Sequence, residues 1–162
     1  MSREKAPVTT AVRELRAHGV AFTNHLYTYE EHGGTAVSAR ELGVPEHAVV
    51  KTLVLEDQDR NPLIVLMHGD MKVSTRELAR IIGVKSIAPS TPETANRHTG
   101  YVIGGTSPFG TRRKLSVYME SSILDLERIY INGGKRGYLV GMAPQDVVRV
   151  LAPTLVEVGI PD

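Results

Sequence analysis

"VVKTLVLEDQDRNPLIVLMH", residues 49–68, is the stretch on which the fold turns. Two aliphatic runs, "VVKTLVLE" (49–56) and "LIVLMH" (63–68), flank the turn-forming "DQDRNP". The spacing predicts two strands folded back on each other as a hairpin. The first run shows little apolar/polar alternation, the pattern of a strand covered on both faces.

Lys51 breaks that run. It shares a strand face with Val49, Leu53 and Leu55. An unpaired charge on an apolar face costs several kcal/mol, roughly, so this lysine needs a partner or an opening. Two readings stand open. The side chain snorkels from the strand end, or it projects into a cleft to meet an anion.

Other elements assemble around the hairpin. "VTTAVRELRAHG" after Pro7 reads as a helix, with Val8, Val12, Leu15 and Arg16 at helical spacing and Gly19 as its stop. "VAFTNHLYTY" (20–29) reads as a strand and "EEHGG" as a loop. Thr35 is placed to cap a helix through Leu42, ended by Gly43, and Pro45 opens a turn. Ser74-Thr-Arg-Glu77 is a capping box leading a helix to Ile82, ended by Gly83. "VKSIA" is a short strand, and Thr91-Pro92 starts another helix. Tyr101-Val102-Ile103 reads as a short strand. "LSVYME", "RIYIN" and "YLVGM" are strands, with a helical turn at "SSILDLE" and a hairpin turn at "GGKRG". "PQDVVRVLA" is a helix and "TLVEVG" a last strand. Hairpins mixed with helical crossovers argue for a mixed sheet with helices packed on it, an α+β arrangement, not a doubly wound parallel sheet. At 162 residues, without a linker or repeat, one domain over 1–162 is expected.

Composition removes several function classes. The chain has no cysteine, hence no disulfide framework, thiolate metal site or cysteine nucleophile. No stretch approaches the ~20 apolar residues of a membrane span, and "MSREKAPVTT" has no signal-peptide core. Cytoplasm is the expected location. Formal net charge is +1, so bulk charge does not demand a nucleic acid. His18, His25, His32, His47, His68 and His98 show no metal-ligand spacing. GxSxG and GxGxxG are both missing. No metal and no cofactor are expected.

Two glycine loops remain. In "GYVIGGTSPFG" (100–110), Gly104 and Gly105 permit positive φ and close approach of a ligand, with the hydroxyls of Thr106 and Ser107 beside them and Pro108 next. An ordinary loop is the plainer reading. "NGGKRG" (132–137) is a hairpin signal first. Arg112, Arg113, Lys114, Lys135 and Arg136 cluster beside these loops, and Arg97 and His98 precede the first. They form either a solvated face or a track for a phosphate backbone.

Together, "YTYEEH", "VVKTLV", "STRELARIIGVKSI", "TGYVIGGTSPFG" and "IYINGGKRG" cover most of the chain. In that order they resemble the YbaK/EbsC family of aminoacyl-tRNA deacylases, related to the editing domain of bacterial prolyl-tRNA synthetases. The resemblance implies a mixed, mostly antiparallel curved sheet with surrounding helices and a pocket on it. It implies cleavage of the ester between a mischarged amino acid and tRNA, with Cys-tRNA(Pro) the first substrate and Ala-tRNA(Pro) the alternative. In the cysteine branch the substrate's own thiol attacks its carbonyl, so no protein nucleophile is needed. Lys51 matches the essential lysine that orients the terminal adenosine and ester. Tyr29, Thr52, Gly104, Gly105, Thr106, Ser107, Pro108, Asn132, Gly133 and Gly134 are implied to line the substrate pocket. Arg112, Arg113, Lys135 and Arg136 are implied to follow the tRNA backbone. Prolyl-tRNA synthetase is an implied partner; DNA and membrane are not. Cysteine-directed members carry serine before the second loop and aspartate two residues after it, where this chain has Asn132 and Leu139. A non-catalytic tRNA- or nucleotide-binding module of the same fold is the competing class.

Overall fold

In the computed structural model, which describes residues 5–162, the hairpin forms as expected. The elements run α1 (Thr10–Ala17), β1 (Thr23–Leu26), α2 (Gly34–Leu42), β2 (Val49–Asp57) and β3 (Pro62–His68). Then come β4 (Met71–Val73), α3 (Thr75–Ile82), β5 (Ile87–Pro89), α4 (Pro92–Thr99) and β6 (Ser116–Glu120). The last are β7 (Ile129–Lys135), β8 (Tyr138–Met142), α5 (Pro144–Leu151), β9 (Thr154–Val156) and β10 (Gly159–Pro161). β2 pairs antiparallel with β3 from Val50–His68 to Glu56–Pro62. The turn is tied by Asp57, whose Oδ1 accepts from the backbone N–H groups of Asp59 and Asn61, both at 2.9 Å.

The main sheet has eight strands in the order β1-β8-β7-β2-β3-β6-β9, with β5 also on β2. Four pairings are antiparallel (β1–β8, β7–β8, β2–β3, β2–β5) and three parallel (β2–β7, β3–β6, β6–β9). β3 shows why the apolar run does not alternate. Ile64 and Leu66 enter one core with Leu15, Phe109 and Val147, whereas Leu63, Val65 and Met67 enter another with Leu78 and Val156. A third, smaller core joins Ala39, Val49 and Leu139.

Several boundaries differ from the sequence reading. α1 starts at Thr10, capped by Thr9, and Val8 is exposed. The 20–29 strand shrinks to Thr23–Leu26 because only those residues face β8. Thr35 does not cap α2; Gly33 precedes the helix, and the Thr35 hydroxyl donates to Glu46 instead. Tyr101-Val102-Ile103 is not a strand. The Tyr101 hydroxyl is anchored on the Phe109 carbonyl while Val102 and Ile103 turn to solvent, and no strand lies alongside. Gly133 and Gly134 belong to a bulge in β7 between Asn132 and Lys135, and the turn itself is Arg136-Gly137. The last strand divides into β9 and β10, and β10 pairs with β4 as a separate two-stranded sheet.

Leu66 lies opposite Thr52 in the hairpin and is wholly buried. Leu66→Ala should therefore lower unfolding free energy by about 2–5 kcal/mol in urea denaturation. Leu155→Ala, at an exposed position, should change it by less than about 0.5 kcal/mol.

Candidate functional site

β2 is bonded to β3 along nearly its full length, but its other edge is paired only at the ends. The parallel ladder to β7 stops at Val50–Ile131, and the antiparallel ladder to β5 begins at Leu55–Pro89. Between them, Lys51 to Val54 have no strand beside them. A cavity of about 510 Å³ opens there. Residues of α2 and of the Tyr27–Thr35 segment line it, as do Ser90, Pro92, Ala95 and the loop at Ile103, Gly104 and Thr106. Asn132, Arg136 and Leu139 come from the β7–β8 hairpin.

Lys51 is half-buried in this wall. Its Nζ donates only a long bond, 3.4 Å, to the Gly69 carbonyl. Among the described residues it enters no ion pair. The cleft reading of the lysine fits this geometry: an ammonium with donors to spare faces a cavity. Gly69 cannot carry a side chain, since a Cβ would lie 2.7 Å from Thr35 Oγ1 and 2.8 Å from the Glu46 carbonyl. Sequence reading passed over Gly69 and misassigned Thr35, because their partners lie across the fold.

Part of the cavity wall is a lock of three side chains, Tyr29, Arg136 and Asn132, on the two glycine loops. Tyr29 packs its ring against Gly104 so closely that a Cβ there would meet the hydroxyl at 2.5 Å. The Arg136 guanidinium stacks 5.1 Å from the centre of the Tyr29 ring, and Arg136 Nε donates to the Ile103 carbonyl at 2.8 Å. Asn132 Nδ2 donates to the carbonyls of Gly104 (3.2 Å) and Lys135 (3.3 Å). Its Oδ1 accepts from the N–H groups of Gly134 (2.6 Å) and Lys135 (3.1 Å). Asn132 thus staples the β7 bulge to the glycine loop.

Of the residues expected at the pocket, Tyr29, Lys51, Thr52, Gly104, Thr106 and Asn132 line the cavity, and Arg136, expected on the tRNA backbone, lines it too. Gly105, Ser107, Pro108, Gly133 and Gly134 stand behind it, a correction with a packing reason. A Cβ on Gly105 would meet the Arg136 backbone nitrogen at 2.8 Å. Buried Ser107 accepts from Phe109 N–H, and Pro108 faces a smaller cavity with Glu14 and Leu151. Cβ atoms on Gly133 and Gly134 would strike the rings of Tyr138 and Tyr101. These glycines make room for the protein's own chain.

Arg112, Arg113 and Lys135 lie outside the cavity lining. Arg113 Nη1 donates to His98 Nδ1 at 3.0 Å. Burial, then the charges of Arg113 and Arg97, hold His98 below its usual pKa, which keeps that nitrogen an acceptor. At the cavity, burial pushes the Tyr27 phenol up, reinforced by Tyr29, against a lowering bond from Gly137. Tyr27 therefore stays protonated.

The fold also gathers His47, His68 and Asp70, which the sequence spacing did not suggest. His47 Nδ1 meets Asp70 at 2.9 Å, and the two imidazoles stack at 3.7 Å and 7°. His68 is buried with both nitrogens in use, Nδ1 on the His47 carbonyl and Nε2 on Ser122, each at 2.7 Å. Parallel stacked rings cannot both point a nitrogen lone pair at one ion. This cluster clamps the end of β3 beneath Gly69, and so beneath Lys51.

The family model described as "Aminoacyl-tRNA editing domain" matches residues 30–150. The chain belongs to that aminoacyl-tRNA editing family. An Enterococcus faecalis protein named "Putative Cys-tRNA(Pro)/Cys-tRNA(Cys) deacylase EbsC" is 24% identical over 151 residues, 93% of this chain and 92% of that one. The proline–tRNA ligase of Thermodesulfovibrio yellowstonii is 34% identical over 121 residues, 74% of this chain but 20% of the ligase. The solved structure of hypothetical protein APE2540 superposes with a TM-score of 0.85 at 20% identity, covering 94% of this chain and all of that one. Family members act on aminoacyl-tRNA, and the matched span contains every cavity residue named above except Tyr27 and Tyr29. Among the described residues no helix is long and apolar enough to cross a membrane.

Gly104 combines a left-handed backbone, φ +83°, with contact against Tyr29. Gly104→Ala should cost at least about 1–2 kcal/mol from the backbone alone. Adding Tyr29→Ala should relieve the collision, so the double mutant should be more stable than the sum of the single losses in a urea-denaturation cycle.

Proposed function

We propose that this chain is a trans-acting deacylase that cleaves the ester of mischarged aminoacyl-tRNA, Cys-tRNA(Pro) foremost. The observation that carries the reading is Lys51: an ammonium in a cavity wall, bound only at 3.4 Å to one carbonyl. Such a group is built to meet oxygen. In the bound substrate those oxygens are the ester and the ribose of the terminal adenosine. The family and the name of the Enterococcus relative support the reaction class. The similarity to proline–tRNA ligases supports proline tRNA, and the synthetase itself as a partner. A reaction on aminoacyl-tRNA supports a cytoplasmic location.

The chemistry asks little of the protein. With cysteine, the substrate sulfur bonds to the acyl carbon, the bond to the tRNA 3′ oxygen breaks, and the thiol proton passes to that oxygen. With alanine, water takes the place of sulfur and its proton goes to the same leaving oxygen. In both cases Lys51 holds the ester in an attack geometry and offsets charge developing on oxygen. Leu139, buried at the cavity, adds an apolar surface where a small aliphatic group such as that of alanine can rest. Arg136 lines the cavity and Lys135 precedes it at the end of β7; with Arg112 and Arg113 they are the basic groups that would meet the phosphates of the acceptor end.

Deacylation of Cys-, Ala- and Ser-charged proline tRNA tests the proposal. Cysteine should be released, and Lys51→Met should slow release by about a hundredfold or more while thermal unfolding stays near that of the parent. Lys51→Arg should not restore the rate, because a planar fork does not reproduce a point charge. Release of alanine alone would move the chain to the alanine reading. Turnover of no charged tRNA, with binding of uncharged tRNA retained, would make it a binding module.

A further inference from the structure

Backbone groups along β2 alternate between its two edges. Val49 C=O accepts from Gly69 N–H on the β3 side, and Val54 C=O accepts from Ser90 N–H on the other. Thr52 has the parity of Val54, so both its N–H and its C=O point away from β3, into the opening between the β7 and β5 ladders. Val54 has already given its carbonyl to Ser90. Thr52 is therefore the one residue of the opening that turns a donor and a free acceptor to the cavity. A second observation falls on the same residue. Thr52 Oγ1 is buried without a hydrogen-bond partner, the only such side-chain atom among the described residues.

We propose that the Thr52 backbone holds the aminoacyl group of the substrate as it would hold the facing residue of an antiparallel strand. Its N–H donates to the acyl carbonyl oxygen and its C=O accepts from the α-ammonium. This rests on the deacylase reading above. Two residues in a narrow antiparallel pair exchange both N–H···O=C bonds, and an α-amino ester offers the same nitrogen and oxygen as a peptide residue. The opening is closed on both sides by existing ladders, so it takes one residue and not a peptide strand. The arrangement also gives the α-ammonium an acceptor in a cavity where Leu139 supplies none. An L-residue so paired carries its side chain on the Thr52 face, beside the unpartnered Oγ1. A thiol or hydroxyl there completes that bond, which favours cysteine or serine over alanine. As the ester is attacked, charge grows on the oxygen that Thr52 N–H contacts, and Lys51 approaches from the opposite face of the strand.

The test has a binding arm and a kinetic arm, both with the full chain. In the first, 15N-labelled protein is titrated with 3′-deoxy-3′-(L-cysteinylamino)adenosine, whose amide resists cleavage, and separately with adenosine. The Thr52 amide should move downfield with the cysteinyl compound and not with adenosine. An equal shift with adenosine would overturn the proposal in favour of a base edge, which also pairs a donor with an acceptor. An unmoved Thr52 amide amid shifted cavity neighbours would overturn it as well. In the second arm, cysteinyl-tRNA(Pro) is compared with 3-mercaptopropionyl-tRNA(Pro), and alanyl- with propionyl-tRNA(Pro). Each rate is divided by that of spontaneous hydrolysis of the same ester. Loss of the amino group should lower the acceleration by about tenfold to a hundredfold. Equal acceleration would overturn the role of Thr52 and leave the deacylase reading standing. No acceleration of any ester would end the deacylase reading, and the titration would still decide what Thr52 binds.

Discussion

The strand β2 is hydrogen-bonded on one edge along its length and on the other only at its ends. The rest of the site follows from that interruption. A buried backbone donor or acceptor left unpaired costs about 1–3 kcal/mol, so a sheet normally closes such a gap. Here β7 cannot close it. Its ladder with β8 breaks register in a bulge between Asn132 and Lys135, held by Asn132 on the backbone of Gly134 and Lys135. β5 cannot close it from the other end, since it is three residues long and gives way to Ser90 and α4. The opening is thus maintained by two independent devices, and water or a ligand must satisfy what the sheet leaves free.

On the proposed deacylase reading, that frame is why a substrate-assisted reaction would need no protein nucleophile or acid/base pair in the cavity. Strand β2 presents Lys51 on one face and Thr52 on the other, one residue apart, at a fixed distance set by the pleat. The hairpin that carries them is packed between two cores, and the His47–His68–Asp70 clamp fixes the turn at Gly69. Positioning and charge would then be available without reorganisation to the ester of the proposed substrate, the two effects that lower the barrier most in such reactions.

Much of this was legible in the sequence, and the reason lies in local rules. The hairpin, the Ser74 and Thr91 caps and the Gly43 and Gly83 stops depend on neighbours in the chain, and each stands where its residue type put it. Lys51 was conspicuous because a charge interrupted an apolar strand. What the sequence did not disclose is long-range. Nothing local tells that Thr35 spends its hydroxyl on Glu46, or that His47 stacks on His68. Tyr101-Val102-Ile103 has a strand's composition, but a strand also needs a neighbour, and the loop is tied instead through Tyr101 to Phe109. The family resemblance put the glycines of both loops at the substrate. Gly104 does border the cavity, yet the atoms crowding it belong to Tyr29, and those crowding Gly133 and Gly134 belong to Tyr138 and Tyr101.

The most direct measurement is a crystal structure of the chain with a non-cleavable 3′-aminoacylamino-adenosine. The account expects the aminoacyl group beside β2, between the ends of β7 and β5, with Lys51 Nζ drawn from the Gly69 carbonyl onto ligand oxygen. A ligand seated elsewhere, such as the smaller cavity near Glu14, Pro108 and Leu151, with Lys51 still on Gly69, would contradict it.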